Sequence, residues 1–207
     1  AIEADEFVPY FQPQVDARTK EVVGLEMLSR WYHPTKGVLA PNSFLGTAQT
    51  MGVLDDIDRN LFFQAVTLQS KWKEMCGTTM PISVNVTLDR LRSKTLIKDL
   101  RSIGCDAKDI ALELLESIDL SEDDMAFEAT LRDLRKTGVG IEIDDFGAGR
   151  TSILAVLKVQ PDRLKIDKRL IDPIATDKSA LNVVKSVIGI GRQLGISAVA
   201  EGVETAD

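Results

Sequence analysis

Two kinds of apolar pattern alternate along the chain. Short apolar or alternating runs, typical of strands, are separated by segments with apolar residues at every third or fourth position, typical of helices. Short apolar or alternating runs predict seven strands, in FVPYFQPQVD (7–16), EVVGLEMLSRW (21–31), MPISVNVT (80–87), DIALELLES (109–117), GVGIEIDDFG (138–147), DRLKID (162–167) and ISAVAEGV (196–203). Apolar residues spaced by three or four predict helices over 54–75, 88–103, 121–136 and 151–157, and a last helix that ends at Gly195. The polar turn ARTK (17–20) joins the first two strands.

This alternation of strands and helices predicts an α/β fold. Parallel strands with helices packed outside them form either a barrel or a doubly wound sheet, and the pattern leaves both open. The sequence has no Gly/Ser linker, fixed-length repeat or low-complexity segment, which predicts a single domain over 1–207. Because the chain begins at Ala1 without an initiator Met, we expect it to be a fragment of a longer protein.

Composition narrows the possible partners and chemistry. The 207 residues are 44% hydrophobic, which is enough for a core. The net charge of −7 argues against a protein whose main task is to bind the backbone of DNA or RNA. No apolar run approaches the roughly 20 residues of a membrane span, so we expect no membrane contact by this domain. The two cysteines, Cys76 and Cys105, fit a reducing cytosol, and the single histidine, His33, excludes a multi-histidine metal cluster. We expect His33 to lie in a surface turn.

Polar residues stand where the apolar pattern of several strands stops. They are Glu26, Asn85, Glu113, Asp144, Asp145, Lys165, Asp167 and Glu201. In a (βα) barrel the carboxyl ends of the strands surround one site, so these groups would meet there. Oxygen-only ligands suit Mg²⁺, Mn²⁺ or Ca²⁺, and so acidic a cluster suits two ions about 4 Å apart that catalyse phosphoryl transfer.

Each of these residues also has a simpler interpretation when taken alone. A single acid at a strand end more often caps a helix or faces solvent, and Lys165 could form an ordinary salt bridge. The adjacent pair Asp144 and Asp145 is harder to explain without a cation, because like charges in an apolar strand repel each other. DDFG (144–147) is not a kinase segment, since no HRD or Walker pattern accompanies it.

Seven motifs in order resemble the EAL-domain family of cyclic-di-GMP phosphodiesterases. They are YFQPQVD, GLEMLSRW, SVNVT, LELLES, IDDFGAGRTS, PDRLKID and VAEGVET, and they extend from Tyr10 to Thr205. The resemblance implies a (βα)₈ TIM-like barrel whose first strand is antiparallel to its neighbours. It also implies hydrolysis of cyclic di-GMP to linear 5'-pGpG with Mg²⁺ or Mn²⁺ at a two-metal site, and inhibition by Ca²⁺.

The resemblance assigns roles to residues of this chain. The expected metal ligands are Glu26, Asn85, Glu113, Asp144, Asp145 and Glu201. The expected catalytic residues are Lys165, which would hydrogen-bond the attacking water, Glu26, and Glu116, which would brace the loop after Asp145. The expected substrate-binding residues are Gln12, Arg30 and Asp167.

The chain departs from the family pattern at three places. Met27 replaces the alanine of the name-giving motif, where we expect a packing adjustment only. Ala148 and Arg150 stand where a threonine and an aromatic residue are common, and Arg150 adds a charge to the loop. The chain ends at Asp207 without the family's eighth strand and helix, so we expect it to be C-terminally incomplete and of low activity without them.

The altered loop and the end of the chain motivate an alternative, a catalytically inactive cyclic-di-GMP sensor or protein-interaction module.

Partners and location also follow from the resemblance. It implies a homodimer formed near the loop after Asp145, fused or partnered GGDEF or sensor domains, and a bacterial cytoplasmic location. The cytosolic part of a membrane-anchored protein is included in that expectation.

Overall fold

The computed structural model describes residues 1–103, 106–115, 125–147 and 153–203. The strands are β1 (Phe7–Val15), β2 (Val22–His33), β3 (Gly37–Leu39), β4 (Ile82–Val86), β5 (Ile110–Leu115), β6 (Gly140–Phe146), β7 (Arg163–Ile166) and β8 (Ser197–Ala200). The α-helices are α1 (Leu45–Thr50), α2 (Leu54–Cys76), α3 (Leu88–Arg92), α4 (Lys94–Ser102), α5 (Met125–Arg135), α6 (Ile153–Val159), α7 (Lys168–Ile171) and α8 (Lys178–Leu194). The chain divides into two compact units, one of Ala1–Leu112 with Leu134–Val139 and one of Glu113–Asp133 with Gly140–Asp207.

The first unit contains the antiparallel beginning of the sheet. Strand β1 pairs antiparallel with β2, with Gln12 opposite Glu26, and β2 pairs in parallel with β4. This arrangement confirms the predicted antiparallel first strand. On the neighbouring helix α2, apolar residues at three- and four-residue steps are buried, as the spacing predicts, and they include Ile57, Leu61 and Ala65.

The second unit contains three consecutive parallel strands. Strand β6 pairs with β7, and β7 pairs with β8, each in parallel register. Helix α8 connects β7 to β8 and ends, as predicted, at Gly195, which adopts a left-handed conformation with φ of 74°. Its Val184 is buried in a cluster with Ile166 of β7 and Ile171 of α7.

Several elements differ from the prediction, which did not include the short helices α1 and α7. The predicted helix 88–103 is two helices, because Ser93 adopts an extended conformation and its hydroxyl accepts the Thr95 N–H as the cap of α4. Strand β3 extends the predicted count of seven strands to eight among the described residues. It pairs antiparallel with β2 after a tight turn in which His33 Nδ1 accepts the N–H of Thr35. No helix in the described ranges is long and apolar enough to cross a bilayer.

A buried cation organises the helices that follow β4. Arg90 of α3 is only 4% exposed, donates from Nη1 to the Asp55 carbonyl at 3.3 Å, and lies 3.7 Å from Asp99 of α4. The half-buried Asp58 of α2 belongs to the same group of charges. Loss of hydration there, with the charge of Asp55, raises the pKa of Asp58 to about 7, although Arg90 opposes the shift.

Folding therefore makes the stability of the first unit depend on pH through Asp58. An acid whose pKa is raised by folding contributes fully to stability below its unfolded pKa of 3.8, and the contribution is lost as pH rises through about 7. We expect the free energy of unfolding to fall by up to about 1.4 kcal/mol per pH unit between these limits. Asp58→Asn should flatten this slope in urea titrations at pH 4.5 to 7.5, whereas the exposed Asp89→Asn should keep it. Equal slopes in wild type and Asp58→Asn would contradict the assignment.

Candidate functional site

In the second unit, consecutive parallel strands bring charged side chains to one edge. Glu113 comes from β5, Asp144 from β6 and Lys165 from β7, while Glu201 directly follows β8. A backbone hydrogen bond fixes the position of Glu201, since its N–H donates to the carbonyl of Ile166 at 3.1 Å. Glu113 and Lys165 are 0% and 1% exposed, so their charges are removed from water.

Lys165 contacts all three of these carboxylates. Its Nζ lies 2.9 Å from Asp144 Oδ1, 2.9 Å from Glu201 Oε1 and 3.3 Å from Glu113 Oε1. A buried ammonium is tolerated only with such partners, because its desolvation is otherwise costly. Three carboxylates against one ammonium leave an excess of negative charge, which favours a further cation.

The second aspartate of the pair lies at an irregular point of β6. Asp145 has φ of 55°, in the left-handed region that non-glycine residues rarely adopt, and the register with β7 shifts between Ile143 and Phe146. The Asp145 N–H donates to Asp144 Oδ1 at 3.0 Å. Partial burial, followed by the charges of Asp144 and Asp167, raises the pKa of Asp145 above its ordinary value.

The donor set fits a hard divalent cation. Asp144, Asp145 and Glu201 each offer one carboxylate oxygen, and these oxygens lie within 4.8 Å of one another. Oxygen-only ligands suit Mg²⁺, Mn²⁺ and Ca²⁺ better than softer metals. Of the predicted ligands, the structure thus places Glu113, Asp144 and Glu201 around Lys165. It places Asp144, Asp145 and Glu201 together as a group that could hold a cation.

Two neighbouring residues shape this edge in ways that the sequence did not indicate. Arg169 holds Asp167, the N-cap of α7, through Nε and Nη2 at 3.0 Å each, and this contact lowers the pKa of the Asp167 carboxyl. Gly202 has φ of 71°, and a Cβ there would lie 2.4 Å from Lys168 Cγ, so the turn after Glu201 requires glycine. The substrate-binding role of Asp167 stays a prediction beside this structural one.

The remaining predicted residues belong to the first unit or lie outside the described residues. Glu26 and Asn85 are half-buried on β2 and β4, Arg30 is half-buried, and Gln12 is exposed opposite Glu26. Met27 is buried, as a packing residue should be. The prediction for Glu116 lies outside the described residues, as do the departures Ala148 and Arg150.

Comparison with known proteins adds family relationships to this geometry. The family model described as EAL domain matches residues 1–207. An uncharacterized protein of Mycobacterium tuberculosis is 34% identical over 99% of this chain, which spans 33% of that protein. The bifunctional diguanylate cyclase/cyclic di-GMP phosphodiesterase MucR of Pseudomonas aeruginosa is 31% identical over 99% of this chain, which spans 30% of it.

A solved structure extends the likeness to three dimensions. The PaMucR phosphodiesterase in complex with c-di-GMP aligns with a TM-score of 0.90 at 31% identity, over 100% of this chain and 85% of that one. This agreement confirms the predicted α/β barrel class.

The three carboxylates around Lys165 predict a strong dependence of stability on its charge. Lys165→Met leaves buried negative charges without their partner, so we expect it to lower the free energy of unfolding by about 3–5 kcal/mol in metal-free buffer at pH 7. Mg²⁺ or Mn²⁺ should recover part of that loss, because either ion supplies positive charge to the same oxygens. Lys108→Met removes an exposed pair with Asp106 and should cause no measurable change in urea unfolding. A Lys165→Met protein as stable as wild type without metal would contradict the buried ion cluster.

Proposed function

Because the chain belongs to the EAL-domain family, we propose that it is a metal-dependent phosphodiesterase that hydrolyses cyclic di-GMP to linear 5'-pGpG. The observation that carries the proposal is the contact of buried Lys165 with Glu113, Asp144 and Glu201 at the strand ends. The relative named as a cyclic di-GMP phosphodiesterase, MucR, supports the substrate class. Full-length activity, substrates and partners belong to the proposal, since the chain spans about a third of that relative.

The charged residues divide into ligands and a hydrogen-bond donor. Asp144, Asp145, Glu201 and Glu113 would hold Mg²⁺ or Mn²⁺. Glu26 and Asn85, at β2 and β4, are likewise proposed as metal ligands. When bound, these ions polarise the phosphate and lower the pKa of a water molecule, whereas we propose that Ca²⁺ inhibits. Oxygen ligands alone do not select among the three ions, so the choice rests on assay.

Lys165 would orient the attacking water. Its ammonium has three donors and no acceptor, and burial within the strand ends fixes its position. A donor already held in place costs little reorganisation at the moment of reaction. Gln12, Arg30 and Asp167 would position the nucleotide, and Glu116 would brace the loop after Asp145.

We also propose that the chain forms a homodimer through α6. This helix begins directly after residues 148–152, and Ile153, Leu154 and Leu157 on it are 51%, 73% and 47% exposed. Neighbouring exposed apolar side chains of this kind favour a protein contact. Fused GGDEF or sensor domains belong to the same proposal, and relatives named as a bifunctional diguanylate cyclase/cyclic di-GMP phosphodiesterase and as an oxygen sensor protein support it. A cytoplasmic location is also proposed.

Turnover gives the direct test of the enzymatic proposal. The full-length protein that carries this chain should convert cyclic di-GMP to pGpG with Mn²⁺, as measured by chromatography of the products. Asp144→Asn should lower kcat at least about 100-fold, because a metal ligand supports several kcal/mol of transition-state stabilisation. The exposed acid Glu128 offers a control, and Glu128→Gln should retain activity.

Ligand binding without turnover would distinguish an inactive cyclic-di-GMP sensor from an active phosphodiesterase. Tight binding of cyclic di-GMP in calorimetry without any pGpG above the enzyme-free control would support the inactive sensor. Absence of both binding and turnover, with either metal present, would exclude both.

The dimer proposal predicts a specific loss of association. Leu154→Glu places a charge in the apolar patch of α6 and should shift the molar mass in light scattering from dimer to monomer. Val183→Glu changes another exposed apolar residue, on α8, and should leave the dimer intact. A monomeric wild type, or an unaffected Leu154→Glu dimer, would rule out this interface.

A further inference from the structure

The turn between β4 and α3 directly follows a predicted metal ligand. Asn85 is the next-to-last residue of β4, Val86 ends the strand, and Thr87 is the N-cap of α3. Val84 and Val86 are buried, and alternation along the strand turns Asn85 to the face opposite theirs. Because a divalent cation accepts an oxygen ligand only within a narrow range of distances, the direction of this strand end decides whether the Asn85 amide can serve as one.

Asp55, the second residue of α2, holds this turn with two hydrogen bonds. Its carboxylate Oδ1 accepts the Thr87 hydroxyl at 2.8 Å, and its carbonyl accepts Nη1 of Arg90 at 3.3 Å. The Thr87 hydroxyl oxygen in turn accepts the Arg90 N–H at 3.1 Å. The hydroxyl is thus held from two sides, as donor and as acceptor, which fixes its rotamer. We call Asp55, Thr87 and Arg90 the β4–α3 clamp.

Arg90 anchors the clamp inside the first unit. It is buried, with its guanidinium carbon 5.5 Å from the centroid of the Phe62 ring of α2 and its Nη2 3.7 Å from Asp99 Oδ2 of α4. A charge removed from water can shift only by giving up such contacts, which is costly. The clamp therefore ties the start of α3, and with it the end of β4, to the start of α2.

Asp55 also has a simpler interpretation. Asp55 and Asp56 are the acidic residues in the first turn of α2, where a negative charge stabilises a helix through its dipole. That effect needs only charge, and both residues supply it. The hydrogen bond with Thr87 belongs to Asp55, so a comparison of these two neighbouring acids separates the clamp from the dipole.

We propose that Asp55 and Thr87 are positioning residues for a metal ligand, an inference that rests on the proposed function. Thr87 lies two residues after Asn85, so the backbone at Thr87 sets the direction in which Asn85 leaves the sheet. Asp55 fixes Thr87, and Thr87 fixes this short piece of backbone. Neither side chain acts on the metal or the substrate directly, so neither is a catalytic residue. Their contribution is to metal affinity.

Binding of Mn²⁺ gives the first test. In the full-length protein that carries this chain, Asp55→Ala removes the oxygen that accepts the Thr87 hydroxyl, so the Kd for Mn²⁺ should rise about 10- to 100-fold, as is typical when a contact behind a metal ligand is lost. Asp55→Asn keeps a side-chain oxygen as acceptor and should stay within about threefold of wild type. Asp56→Ala removes an acid from the same helical turn and should leave the Kd unchanged. Free Mn²⁺ is measured by electron paramagnetic resonance without substrate.

Kinetics separate positioning from general destabilisation. At saturating Mn²⁺ the kcat of Asp55→Ala should stay within about threefold of wild type, whereas the Mn²⁺ concentration for half-maximal activity should rise with the Kd. Loss of folded protein would instead lower the apparent kcat and leave that concentration unchanged.

The other side of the hydrogen bond offers an independent variant. Thr87→Val removes the hydroxyl and should weaken Mn²⁺ binding as Asp55→Ala does, and it keeps the test decisive where Asp55→Ala folds poorly. Because both changes remove the same contact, the Asp55→Ala/Thr87→Val double variant should bind Mn²⁺ no more weakly than the weaker-binding single variant. Thr87→Ser keeps the hydroxyl and should bind Mn²⁺ as wild type does.

These outcomes distinguish the clamp from the enzymatic proposal. An unchanged Kd for Mn²⁺ in folded Asp55→Ala and Thr87→Val, or an equal rise in Asp56→Ala, overturns the clamp and leaves the phosphodiesterase standing. A rise confined to the clamp variants, in a protein whose wild type forms no pGpG, supports the clamp and removes the enzymatic activity. Wild-type protein that neither binds Mn²⁺ nor forms pGpG overturns both.

Discussion

The second unit depends on one buried ammonium group. Lys165 lies among Glu113, Asp144 and Glu201, each contributed by a different strand or strand end, and its side chain is 1% exposed. Carboxylates gathered this closely repel one another, so the lysine is what permits them to share an edge without metal. A slip of β7 by one residue would turn Lys165 to the other face and remove its charge from the acids, which ties the register of β7 to the chemistry of the site.

The backbone of β6 is irregular where its two neighbouring aspartates stand. In a regular strand, neighbours such as Asp144 and Asp145 point to opposite faces, and only one could reach a shared cation. The left-handed conformation of Asp145 and the register shift before Phe146 break this alternation. As a result, both carboxylates reach one acidic group with Glu201. Under the proposed function, strained backbone is thus located where two consecutive residues would both be metal ligands.

The sequence predicted which residues end the strands but not how they are arranged. Apolar periodicity located seven of the strands but left both a barrel and a doubly wound sheet open. The resemblance to the family, not the pattern, favoured the barrel. Periodicity could not show the break at Ser93, since a cap depends on one hydroxyl and leaves the apolar spacing intact. The contact of Asp167 with Arg169 and the pairing of Tyr10 with Tyr32 depend on rotamers and register, which a linear pattern does not contain.

Under the proposed function, the contacts of Lys165 link metal binding to activation. Asp144 Oδ1 and Glu201 Oε1 both contact its Nζ, and both residues also belong to the acidic group suited to a cation. The oxygens that would hold a divalent ion are therefore partly the same oxygens that hold Lys165 in the metal-free protein. Lys165 balances the negative charge of this group, and under the proposed function its ammonium would donate to the attacking water.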